Sequence, residues 1–173
     1  WPITRGKLVV LPRANVPALA VGKRRMPGAA RAEADLNRNF PRAGKREPPR
    51  GEPAAAIWKV AARHKPDWLV DLHEGSDFRQ INPESVGSSV IVNPSPAANE
   101  AAALMLAAVN DTIPQKDKRF VRLRPPKDGS LARAAGEHLG AHALILETTI
   151  KGQPRSRRTR QHRIMVHRLL THL

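Results

Sequence analysis

Along this chain short apolar runs alternate with longer stretches of helical spacing, which predicts a layered α/β domain rather than a helical bundle or a β-sandwich. Lys7-Leu8-Val9-Val10-Leu11-Pro12 reads as a buried strand stopped by proline. Residues 67–73, 88–92 and 143–147 read as further strands, and residues 119–123 as a more exposed one. Pro53 fits the first turn of a helix that places Ala54, Ile57, Val60 and Ala61 together and ends near residue 63. Ser95-Pro96 forms an N-cap and first-turn proline for an Ala-rich helix, with Ala97, Ala101, Leu104 and Ala108 expected on its packed stripe. Residues 131–139 form a third helical pattern, which Gly140 can end. Residues 155–173 form a basic amphipathic fourth, with Ile164, Met165, Leu169 and Leu170 toward the core. Residues 16–49, rich in Gly, Pro and Arg, read as a long irregular segment, and loops of that length inside a domain are usually functional or disordered.

Length and composition narrow the picture. At 173 residues, without an internal repeat, the chain reads as a single domain able to bury a core. Although 40% of residues are hydrophobic, no tract of about eighteen apolar residues occurs, so no membrane span is expected. Residues 1–5 do not lead into the apolar core of a secretory signal, and no compartment is assigned. Cysteine is absent, so any metal must be held by His, Asp or Glu. The net charge of +15, from 30 Lys+Arg against 15 Asp+Glu, favours anionic substrates or polyanions. Aromatic residues are only 3% and Tyr is absent, which removes the stacking platforms that bind single-stranded nucleic acid and makes nucleic acid a secondary reading.

Candidate chemistry sits where strands give way to loops. In residues 67–73 the pleat puts Leu69, Asp71 and His73 on one face, so Asp71 can orient the His73 imidazole as a carboxylate behind a metal ligand does. Glu147 closes an apolar strand, a costly place for a carboxylate unless it is paired, metal-linked or catalytic. The irregular segment holds Asp35-Leu36-Asn37-Arg38-Asn39-Phe40-Pro41, whose amide and guanidinium suit capture of a carboxylate, with Arg24-Arg25 just upstream. The tail histidines His162, His167 and His172 are five residues apart, about 140° around a helix, and cannot share one metal.

The order of these features resembles the zinc carboxypeptidase superfamily, and within it the succinylglutamate desuccinylase/aspartoacylase branch. The likeness rests on Asn15-Val16-Pro17-Ala18-Leu19, the Asp-x-Asn-Arg-Asn-Phe-Pro string, Asp71-Leu72-His73 at a strand end and Glu147 after an apolar strand; it covers nearly all of the chain. The resemblance implies a three-layer α/β/α fold with a mixed central sheet. It implies one zinc ion with His73 as a ligand, Glu147 as general base and acid, Arg38 and Asn37 as the anchor for a substrate carboxylate, and Arg25, or Arg24 in its place, beside the scissile carbonyl. Asp35 would support a zinc ligand from behind. The substrate class implied is a small anionic peptide or an N-acyl amino acid. The branch's first two ligands come from a His-x-x-Glu pair, and none of the seven histidines here is followed by Glu at the third position. The expectation is therefore that the 173 residues are the C-terminal part of a longer catalytic domain whose His-x-x-Glu lies upstream of Trp1. The rival expectation is a non-catalytic basic relative that binds polyanions or nucleic acid. Oligomeric state is not legible.

Overall fold

The structure is a computed structural model that describes residues 5–45 and 47–173; the first four residues, which belong to the stretch read for a signal, lie outside it, as does Arg46 in the long loop. In chain order the elements are α1 (Val16–Ala20), a 3-10 turn (Leu36–Arg38), α2 (Glu52–His64), β1 (Trp68–Gly75), β2 (Ser89–Val92), α3 (Pro96–Asn110), β3 (Val121–Leu123), α4 (Leu131–Leu139), β4 (His142–Thr149) and α5 (Arg155–His172).

The four strands form one mixed sheet in the order β1-β4-β2-β3. β1 runs parallel to β4, β2 antiparallel to β4, and β3 parallel to β2. β4 is therefore interior to the sheet, and its run from Ala143 to Thr149 is buried throughout. Helices cover both faces. On one, Leu144, Leu146, Val90 and Val92 pack with Met105 and Val109 of α3 and Met165 and Leu169 of α5. On the other, Ala143 and Ile145 pack with Ala132 and Ala135 of α4 and with Trp58 of α2. This is the expected three-layer α/β/α arrangement with a mixed sheet.

Local signals explain most boundaries. The Ser95 hydroxyl caps α3 by accepting from the Ala98 N–H at 3.0 Å, and Ser130 caps α4 by accepting from Arg133 N–H. Gly140 ends α4 at φ +71°, a conformation open to glycine. Two expectations need correcting. Residues 7–12 form no strand: Leu8, Val9, Val10 and Leu11 stand 43–64% exposed, and no sheet strand pairs with them among the described residues. An apolar run makes a strand only where a ladder partner and a face to cover are available. The packed stripe of α3 is also turned from the expected one. It consists of Ala98, Ala101, Ala102, Met105 and Val109, because in an Ala-rich helix the few large side chains, not the alanines, decide which side faces the core.

Candidate metal and catalytic site

β1 and β4 end side by side, and their register sets His73 directly opposite Glu147. Asp71 shares that face of β1 with His73, two residues back along the pleat. Adjacent strands lie ~4.8 Å apart, so the imidazole and the carboxylate project as neighbours from the carboxyl ends of parallel strands, where sites in open α/β sheets gather.

The His73 Nε2 lies 2.8 Å from Asp71 Oδ2. The Asn37 side chain completes this triangle. Its Oδ1 accepts the Leu131 N–H at 2.8 Å, which fixes the amide so that Nδ2 is the donor toward Asp71 Oδ2 at 3.2 Å. Nδ2 also lies 3.1 Å from His73 Nε2. With an Asn37 donor on the same carboxylate oxygen, the consistent assignment is that His73 Nε2 donates to Asp71 as well. The imidazole then keeps its lone pair on Nδ1. Asn37, expected at a substrate carboxylate, thus spends its amide on the Asp71–His73 pair.

The surrounding charges follow from this geometry. Burial would lower the His73 pKa, but the Asp71 hydrogen bond and the charges of Asp71 and Glu147 outweigh it and Arg24, so the ring stands above its ordinary 6.5. Glu147 is only 7% exposed. Burial pushes its carboxyl up to about 7 with help from Asp71, against the opposing pull of His73, Arg24 and Arg38. A carboxyl titrating near neutrality is suited both to take and to return a proton. The α5 side of the sheet carries His162, whose pKa is lowered by burial although its ring bonds the main chain of Leu146 and His73.

The basic residues divide. The Arg24 guanidinium pairs with Asp35 at 3.0 Å, and its charge is felt at both His73 and Glu147. Arg25 is exposed and is not among the charges that act on either group. Asp35 also caps the 3-10 turn by accepting the Asn37 N–H at 3.2 Å. That turn is why the Asp-x-Asn-Arg string is locally ordered: it brings Asn37 to β1 and puts the Arg38 charge within range of Glu147. Two supports of Arg38 were not legible in the sequence. Arg50 Nη2 donates to the Arg38 carbonyl at 2.9 Å. Gly129 packs so closely that a Cβ there would come 2.7 Å from the same carbonyl, at φ +77°. Both contacts span loops without periodicity. Just past His73, Glu74 pairs with Arg158 and Asp77 with Lys151.

Toward a metal, the donor set fits one position. His73 offers a neutral nitrogen oriented by a carboxylate, with Glu147 next to it. No group of three or more His, Cys, Asp or Glu able to hold a metal occurs among the described residues. No helix among them is long and apolar enough to cross a membrane.

Comparison with known proteins agrees with this architecture. Residues 3–173 match the family described as succinylglutamate desuccinylase/aspartoacylase catalytic domain, and the chain belongs to that family. Its fold is that of the zinc carboxypeptidases. The mDAP-bound form of Helicobacter pylori Csd4, a D,L-carboxypeptidase, superposes with a TM-score of 0.72 at 19% identity, covering 94% of this chain and 42% of that one. Bovine thrombin-activatable fibrinolysis inhibitor, in complex with tick carboxypeptidase inhibitor, gives 0.68 at 15% identity, covering 93% and 67%. A Pseudomonas aeruginosa metallo-carboxypeptidase bound to (2-guanidinoethylmercapto)succinic acid gives 0.58 at 16%, covering 91% and 44%. This chain thus spans less than half the length of the Csd4 structure. No curated protein matches the sequence.

Proposed function

We propose that this chain forms the substrate side and part of the metal site of a zinc-dependent hydrolase that cleaves an amide bond next to a substrate carboxylate, as a metallocarboxypeptidase or an N-acyl amino acid deacylase. The observation that carries the reading is the Asp71–His73 pair lying in register with a buried Glu147 whose carboxyl titrates near 7. His73 would hold the ion through Nδ1, with two further ligands of the family's His-x-x-Glu kind coming from outside these residues. When bound, zinc supplies Lewis acidity to the scissile carbonyl and to water.

The chain's own residues have distinct tasks. Glu147 takes a proton from the attacking water and returns it to the leaving amine. Burial raises the carboxyl's affinity for the proton it takes, which favours the first transfer. Asp71 and Asn37 hold the His73 ring in one orientation. Arg38 binds the substrate carboxylate, and Arg24, rather than the outlying Arg25, supplies positive charge near the carbonyl oxygen. A partner of this chemistry is a small anionic peptide or N-acyl amino acid.

The test uses a longer chain that includes the remaining ligands, with zinc measured by elemental analysis and hydrolysis measured on acyl and peptidyl amino acids. One zinc per chain is expected, and His73→Ala loses it. Glu147→Gln keeps the metal and lowers kcat by about 10²–10⁴-fold. Retained zinc in the first variant would remove His73 as ligand, and retained turnover in the second would remove Glu147 as base.

A further inference from the structure

Helix α5 crosses the sheet on the face opposite His73 and Glu147, and its lower half packs as expected through Met165 and Leu169. Its first turns differ. Where a packing helix would present apolar groups to the sheet, α5 presents Arg158, Gln161 and His162: Arg158 meets β1, Gln161 is linked to β4 through Gln153, and His162 meets the strand main chain directly. His162 Nε2 lies 3.1 Å from the carbonyl of Leu146, the residue before Glu147. The same ring makes a main-chain hydrogen bond to His73 itself. Arg158 pairs with Glu74, the residue after His73, and donates to the Gln153 carbonyl at 2.7 Å. Gln161 donates to Gln153 at 3.0 Å, and Gln153 donates to the Thr149 carbonyl, two residues past Glu147, at 2.9 Å.

A single ring thus touches the main chain at both strands that carry the site. We propose that His162 is a positioning residue: from behind the sheet it holds the ends of β1 and β4 at the spacing that keeps His73 and Glu147 opposed. The proposal deepens the hydrolase reading and rests on it for its functional meaning, but its geometry stands without metal or turnover. The β1–β4 ladder continues through Gly75 and Thr149, and a side-chain hydrogen bond to a main-chain carbonyl from behind the sheet adds a second hold on the same backbone beside it.

The experiment uses the 173-residue chain without metal, with ring-nitrogen NMR of His73 as the reporter. His162→Gln keeps an Nε2 donor at nearly the same reach. His162→Asn is polar but one methylene shorter, and His162→Leu removes the donor. The proposal expects the His73 Nε2 resonance, set by its bond to Asp71, to stay in place in the Gln variant and to shift or split in the Asn and Leu variants. Should the Leu variant fail to fold, the Gln–Asn pair still decides. Unchanged His73 signals in the folded Asn variant, or equal disturbance by Gln and Asn, would overturn the proposal. Failure of the hydrolase reading would appear elsewhere, as retained turnover in Glu147→Gln of the metal-loaded longer chain, while the three His162 variants still follow the expected order.

Discussion

At the scale of single residues, Glu147 has the clearest consequence. Its ordinary pKa near 4.5 rises to about 7 in the folded chain, chiefly through burial. Between those values the folded state binds more protons than the unfolded state, so stability falls as pH rises through this window. The shift corresponds to at most about 3.5 kcal/mol, since one unit is worth about 1.4 kcal/mol. His73, also raised, contributes with the same sign: its stabilisation is complete below 6.5 and is lost as pH passes its higher folded value. Urea unfolding of the metal-free chain from pH 4.5 to 7.5 should therefore show declining stability, and Glu147→Gln should flatten most of the decline. An equal slope in both proteins would mean that Glu147 is not held protonated by burial. The sequence showed which residues to watch, because a Glu ending an apolar strand and an Asp two before a His carry their oddity locally. It did not show that Asn37 turns toward Asp71. That bond depends on the Leu131 N–H, 94 residues away in the chain.

At the scale of elements, periodicity was a good guide wherever a segment had both a period and something to pack against. β4, α2, α4 and α5 all fall within a few residues of their expected bounds. Residues 7–12 are the instructive exception, since apolarity without a partner left them irregular and exposed. Their exposure makes a sharp comparison possible. Val10→Lys should change the melting stability of this chain by no more than about 0.5 kcal/mol, as surface substitutions do. Leu146→Ala, at a position with no exposure in the middle of β4, should cost about 2–5 kcal/mol. A large loss from Val10→Lys would mean that residues 7–12 are packed in solution after all. The same contrast explains why the α3 stripe was misjudged by one residue, about 100° around the helix, while its cap was found: the Ser95 hydrogen bond is local, whereas the stripe is chosen by Leu144 and Leu146 across the interface.

At the scale of the whole molecule, the excess of positive charge is the property that composition announced and the fold distributes unevenly. No Asp or Glu occurs after Glu147, while seven Lys or Arg do, and six of them lie on α5, which packs on the side of the sheet away from His73. Arg24 and Arg38 act on Glu147 directly, whereas no tail arginine is among the charges that shift it. The screening length in water is ~8 Å at 0.15 M salt and ~30 Å at 0.01 M. The tail can therefore attract an anionic substrate from a distance only at low ionic strength, while Arg24 and Arg38 act in the site at any. In a chain with its full metal complement, replacing Arg157 and Arg160 by Gln should lower kcat/KM at 0.01 M salt by a few-fold and leave it within about twofold at 0.15 M. Replacing Arg38 by Gln should raise KM by about tenfold or more at both, because a buried or bidentate hold on a carboxylate is little screened. Steady-state kinetics at the two salt concentrations decide the matter. If the tail substitutions matter equally at both, the basic helix touches the substrate itself, and the division between a steering surface and a binding site would have to be abandoned.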